Sequence, residues 1–216
     1  MYLSFEWLND YLDLTGLTGE ALADCMSRTG IEIEAVENYG TQLSGLVVGQ
    51  VLSVEDHADS DHLHVCQVTV GDQEPLQIVC GAPNVVAGAK VIVATIGARL
   101  AGGLKIKKGK LRGVESHGML CALQELGFSD SVVPKVYADG LFLLPADAPV
   151  GADVVEYLKL DDPILELSIT PNRADALSMR GAAYEVGAII DQVPNFDNIH
   201  RQATQAADAA LLSNVT

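Results

Sequence analysis

Positive charge is scarce in this chain of 216 residues: 13 Lys and Arg stand against 29 Asp and Glu, a formal net charge of −16. Aromatic side chains make up only 5%, and tryptophan occurs once, at Trp7. No two of the four cysteines, Cys25, Cys66, Cys80 and Cys121, form a C-x-x-C pair, which removes the usual zinc-ribbon spacing. No signal-peptide pattern and no membrane-length apolar run is present, which argues against secretion and a membrane span by the usual routes. Reduced thiols in the cytoplasm fit this cysteine usage best. The glycine signatures of a phosphate loop, a dinucleotide fold and a nucleophile elbow are also missing. What is present, at 49% hydrophobic and 19% charged, is enough for a folded globular protein with one good core or two small ones.

The few cations are not spread evenly. Lys90, Arg99, Lys105, Lys107, Lys108, Lys110 and Arg112 fall in one window that contains no Asp or Glu. Seven of the 13 basic residues therefore sit between Lys90 and Arg112. Overall acidity does not cancel such a window, because charge acts within a Debye length of roughly 8 Å at physiological salt. The window is expected to be a phosphate-facing surface, although a solvated edge explains the same residues. If residues 105–112 are extended, Ile106 and Leu111 can anchor the segment while the cations face out. Each phosphate contact would add about −0.7 to the salt slope for a single strand. No aromatic is interleaved with these cations, the nearest downstream being Phe128. That favours contact with backbone or shape over base stacking.

Periodicity divides the chain into three textures. Residues 1–40 read as α+β: Ser4 can cap a short helix carrying Trp7, Leu8, Tyr11 and Leu12, with Trp7 expected in the core. Thr18 can cap a second helix that Gly30 stops, and Ile31, Ile33 and Val36 then suggest a strand. Residues 41–151 switch to short strands with Gly-rich turns, at Leu46–Val54, His64–Val70, Leu76–Val79, Lys90–Ile96 and Met119–Ala122. That spacing suits an OB-type barrel, which presents one face to oligonucleotides. Helical patterning returns after Gly151: a short helix at Asp153–Leu160, a strand through Ile164–Ile169, and a helix from an Asp175 cap to about Ile190 with Leu177 packed. The expected fold is an α+β host domain, residues 1–40 plus 152–198, with an inserted all-β OB-fold barrel at 41–151. Residues 199–216 are expected to be a linker to a downstream domain.

Other constellations point nowhere definite. His57, Asp59, Asp61, His62 and His64 could ligate a metal, and a polar turn explains them equally well. Cys80 could be a nucleophile, but a buried thiol ending a strand accounts for it, since no thiolate-stabilising environment is visible. Ser116 has no assignable base. No catalytic residue and no metal ligand is expected.

The middle of the chain resembles the tRNA-binding OB domain of several synthetases and free-standing tRNA-binding proteins. The matching pieces are Val48–Val51, His57–Leu63, Ile78–Val85, Lys105–Lys108, Leu111–Cys121 and Glu125–Gly127. The flanking pieces Ser4–Leu8, Thr29–Ile33 and Ser168–Asp175 resemble the N-terminal part of the bacterial phenylalanyl-tRNA synthetase beta subunit. The resemblance implies a parent enzyme of two alpha and two beta subunits that joins phenylalanine to its tRNA with ATP and magnesium. It places the aminoacylation site on the alpha subunit, and the editing, core-like and anticodon-binding regions of beta beyond Thr216. It implies tRNA, the alpha subunit and a second beta subunit as partners, a cytoplasmic location, no membrane, and no cofactor in this segment. The expected tRNA-binding residues are Lys105, Lys107, Lys108, Lys110 and Arg112, with Asn84 and Ser116 from the matching pieces.

One departure bears on the site. The family loop usually reads H-P-N-A-D-K-L, whereas here it is His57-Ala58-Asp59-Ser60-Asp61-His62-Leu63. Loss of the lysine and gain of Asp59 make this edge less positive, which leaves the 105–112 segment as the better candidate. A scaffold that braces the beta subunit or docks alpha, with little tRNA contact, is the rival expectation. A complete free-standing tRNA chaperone does not explain the synthetase-like flanks.

Overall fold

A computed structural model describes residues 1–71 and 74–197. The expected linker at 199–216 lies outside the described residues. In chain order the elements are β1 (Tyr2–Ser4), α1 (Phe5–Asn9), α2 (Gly19–Thr29), β2 (Glu32–Glu37), β3 (Ser44–Asp56), β4 (His64–Thr69), β5 (Leu76–Cys80) and β6 (Lys90–Arg99). There follow β7 (Gly109–Leu111), β8 (Val114–Ser116), β9 (Gly118–Cys121), β10 (Leu143–Leu144), α3 (Val154–Tyr157), β11 (Ile164–Ser168) and α4 (Met179–Ile190). They fall into two compact units: Met1–Glu37 together with the chain from Pro163 onward, and Asn38–Asp162.

The first unit is a small antiparallel sheet, ordered β1-β11-β2, with α1, α2 and α4. β11 is central, so Leu165 and Leu167 are buried and pack with Leu3, Leu22, Met26 and Val186. The helix starts follow local chemistry. The Ser4 hydroxyl accepts from the Trp7 N–H, the Thr18 hydroxyl accepts from Ala21 N–H, and Gly30 closes α2 in the left-handed conformation. Three expectations fail here. Trp7 is 52% exposed, its indole N–H donating to Tyr11 Oη, because adjacent helix positions point about 100° apart and Leu8 takes the inward one. Leu177 is exposed as well. The cap of α4 is Ser178, not Asp175; Asp175 instead accepts from Arg173, which also pairs with Glu185 at 2.6 Å. A guanidinium with two carboxylates outcompetes one backbone N–H for Asp175, and it holds that carboxyl below its usual range.

The second unit is mostly β, a curled half-barrel with short helical turns. Its sheet runs β10-β6-β3-β4-β5, and β9 pairs with β6. The 13-residue β3 is the spine, pairing with β4 along one edge and β6 along the other. At Gly49 a Cβ would collide with the Val93 and Val68 side chains, so the close packing on both neighbouring strands requires glycine there. Residues 152–162, expected with the host, belong to this unit. Val48 N–H donates to Ala152 O at 2.9 Å, Gly151 N–H to Val48 O at 2.8 Å, and Val154 is fully buried beside Leu46 and Ile92. At the other boundary Gly40 N–H donates to Leu160 O.

Cys66, Cys80 and Cys121 are free thiols buried in this unit. Burial raises all three, Cys66 to about 11 and Cys121 to about 12, with the Glu125 carboxylate adding to the effect at Cys121. Cys80 therefore ends its strand as an inert thiol rather than a nucleophile. The folded state holds these protons more tightly than the unfolded chain. Stability from this source is full below the ordinary thiol value of 9.0 and is lost as pH rises toward 11 and 12. Urea midpoints measured from neutral to alkaline pH should fall over that range. The Cys66→Ala, Cys121→Ala double variant should fall less steeply.

Candidate nucleic-acid interface

Two consecutive hairpins carry the cations. In the first, the end of β6 turns at Ala101–Gly103 and residues 104–106 pair back, with Gly97 N–H to Ile106 O at 2.8 Å and Ile106 N–H to Ala98 O at 2.9 Å. Arg99 and Lys105 form a bridge pair in this hairpin. Ile106 is buried and acts as the expected anchor, whereas Leu111 is 38% exposed and does not. The second hairpin is β7–β8, with Lys110 opposite Glu115 and Leu111 opposite Val114. Lys105, Lys107, Lys108, Lys110 and Arg112 are all exposed. Lys90 does not join them. It lies at the far end of β6, nine residues from Arg99, on the order of 30 Å along a strand, and its ammonium donates to Gln50.

The exposed cations are not equivalent. The Lys108 ammonium sits 2.9 Å from Glu115 Oε2, and His117 Nε2 lies 3.3 Å from the same oxygen. These partners hold the Glu115 carboxyl below its usual range, Lys108 first and His117 second. Lys105, Lys107 and Lys110 have no ion pair among the described residues.

Arg112 is at the tip with Gly113, at φ of 42° and 92°. A two-residue loop with both residues at positive φ suits Asn-Gly, and an arginine there is conformationally costly. Its guanidinium donates to Asp59 O at 2.6 Å, and the buried His57 ring reaches Leu111 O through Nε2 at 3.2 Å. His57 Nδ1 meanwhile accepts from Asp59 N–H, so both ring nitrogens brace this tip. His64 pairs with Asp56. The 57–64 cluster is thus a turn latched to the hairpin, and among the described residues no His, Cys, Asp or Glu group is arranged to hold a metal.

Ser116 is buried and Asn84 half-buried. Ser116 is 3% exposed, its hydroxyl accepting from Val79 N–H at 3.1 Å and donating to Gly118 O at 3.0 Å. The bond ties β8 to β5, assisted by His117 N–H to Gln77 O at 2.8 Å. Asn84 spends both ends of its amide on Leu141, accepting from its N–H and donating to its carbonyl. Ser116 therefore braces the base of the hairpin, and Asn84 ties its own loop to Leu141. Nothing in their local sequence marked this, because the partners are 37 and 57 residues away.

A curled β sheet with exposed cations gathered at one end, on a strongly acidic chain, defines a polyanion-binding class of domain. Residues 46–153, half of the chain, match the family described as a putative tRNA binding domain, and the chain belongs to it. The chain is also 57% identical over 213 residues to the phenylalanine–tRNA ligase beta subunit of Streptococcus pneumoniae, covering 99% of this chain and 26% of that protein. To the beta subunit of Geobacillus kaustophilus it is 56% identical over 190 residues, 88% of this chain and 24% of that protein. It spans about a quarter of the length of these curated relatives. Among solved structures, a MetRS related protein from Pyrococcus horikoshii matches with a TM-score of 0.37 and 25% identity, over 50% of this chain and 87% of that one.

Two variants separate fold from binding. Arg112→Asn relieves the positive-φ penalty but removes the bond to Asp59 O, two opposing effects of about 1–2 kcal/mol each, so hairpin stability is expected to change little. The same change should weaken RNA binding and make the salt slope shallower by about 0.7 for a single strand. Ser116→Ala leaves the Val79 N–H without its partner and should cost about 1–3 kcal/mol in urea unfolding.

Proposed function

We propose that this chain is a non-catalytic tRNA-binding segment of a phenylalanine–tRNA ligase beta subunit. The observation that carries this reading is the pair of hairpins that put Lys105, Lys107, Lys108, Lys110 and Arg112 on the exposed end of an otherwise acidic chain. Membership of the putative tRNA binding family and the identity to beta subunits support it. Lys105, Lys107 and Lys110 contact tRNA phosphates directly. Lys108 contributes less while Glu115 holds it, and Asn84 and Ser116 act as positioning residues beneath the contact surface. An arginine in a backbone conformation that favours Asn or Gly supports a role for its side chain.

In this reading the β unit is an OB-type barrel inserted into an α+β host domain. The parent is a cytoplasmic ligase of two alpha and two beta subunits that uses ATP and magnesium on the alpha subunit. This segment contributes affinity for tRNA and no chemistry.

Filter retention of tRNA against salt tests the assignment. Changing Lys105, Lys107, Lys108 and Lys110 together to alanine should lower affinity and flatten the salt slope, while Glu115→Gln should raise affinity by freeing Lys108. Unchanged affinity and slope in the four-lysine variant would refute tRNA contact. Failure of the alpha and beta subunits to assemble without this segment, with no tRNA retention at about 0.1 M salt, would favour a scaffold instead.

A further inference from the structure

Aromatic side chains are scarce in this chain, yet Trp7, Tyr11, Tyr184 and Phe196 form one continuous run on the first unit. The Trp7 indole N–H donates to Tyr11 Oη at 2.8 Å. The Tyr11 and Phe196 ring centres are 5.1 Å apart, and those of Tyr184 and Phe196 5.3 Å. Three bonds of 2.9 Å fix the segment that carries Phe196 against the end of α1: Asn195 N–H to Tyr11 O, Asp13 N–H to Gln192 Oε1, and Gln192 Nε2 to Asp13 O. The run is therefore built, yet it is not covered: Trp7 is 52% exposed and Tyr184 51%. Contiguous exposed rings of this kind mark interaction surfaces, and Trp and Tyr lead the residues that carry binding energy there. The only polar atom of Trp7 is spent on Tyr11, so Trp7 offers a partner ring surface and no donor. The same run already holds one cation, the Arg180 guanidinium carbon lying 4.7 Å from the Phe196 ring centre.

Charge decides what kind of partner fits. Residues 1–37 and 163–197 hold thirteen Asp and Glu against three Arg and no Lys, and Arg28 and Arg173 are already paired with carboxylates. Asp10 follows Trp7 by three positions and keeps the helical conformation, which sets it beside Trp7 on the same side of α1. It is exposed and has no ion pair among the described residues. Asp13 and Asp191 flank the Asp13–Gln192 bonds, where α4 ends without a basic residue in its last turn, so the helix carbonyls add to the negative field. An RNA phosphate would be repelled by this edge. A guanidinium or ammonium suits it, stacking on a ring face and pairing with a carboxylate at the side. We infer that this face docks a basic segment of a protein partner, with an Arg or Lys side chain lying over the Trp7 ring and its charge paired to Asp10. The surface is separate from the proposed tRNA contact: it belongs to the other unit and selects the opposite charge.

Trp7 is the only tryptophan, so the emission of the full 216-residue chain reports on this site. Three probes test it: a labelled peptide of alternating Arg and Leu, the same peptide with Gln in place of Arg, and oligouridine. The Arg peptide should change Trp7 emission saturably, and the other two should leave it unchanged. In anisotropy of the labelled peptide, Trp7→Leu, which keeps apolar bulk without a π face, should weaken binding about fivefold. Asp10→Asn should weaken it about threefold, and Glu34→Gln, exposed on β2, should leave it unchanged. Equal losses in Asp10→Asn and Glu34→Gln would mean unspecific attraction to an acidic chain and overturn the inference. So would equal binding of the Gln peptide, which needs no charge recognition, or the absence of any emission change. Emission that responds to oligouridine makes the rings an RNA surface, and emission that changes with protein concentration alongside a doubled mass in light scattering makes a second copy the occupant; either result overturns it.

Discussion

The buried hydroxyl of Ser116 is the bond on which the working end of the β unit depends. One oxygen accepts from Val79 N–H and donates to Gly118 O, joining β8 to β5 where no regular ladder connects them. That clasp sets the base of the hairpin that ends in Arg112. A hydroxyl suits the place because it is both donor and acceptor and fits where a longer side chain would not. A second brace, Asn84 to Leu141, follows the same logic, with Gly140 leaving room for the amide.

Electrostatics in this chain are decided over a few ångströms rather than by the total. A net charge of −16 would repel RNA if it were uniform. Screening over roughly 8–10 Å makes each cation answer to its own neighbours. Glu115 lies on the same hairpin as Lys108 and quenches part of its field, whereas Lys105 and Lys107 keep theirs. The turn at Asp59 touches Arg112 through its backbone carbonyl and so orients the guanidinium. The result is a modest cationic end rather than a broad basic face.

Much of this was legible in the chain itself. The caps at Ser4, Thr18 and Gly30, the strands β3 to β6 and the gathering of cations near residue 105 all depend on neighbours a few positions away. Alternation and capping act at that range, and the sequence states them directly. The pairing of Lys108 with Glu115, the spending of Asn84 on Leu141, the separation of Lys90 from the other cations and the membership of residues 152–162 were settled only by the tertiary structure. These depend on which distant segments the curled sheet brings together, and a linear pattern carries no information about that distance.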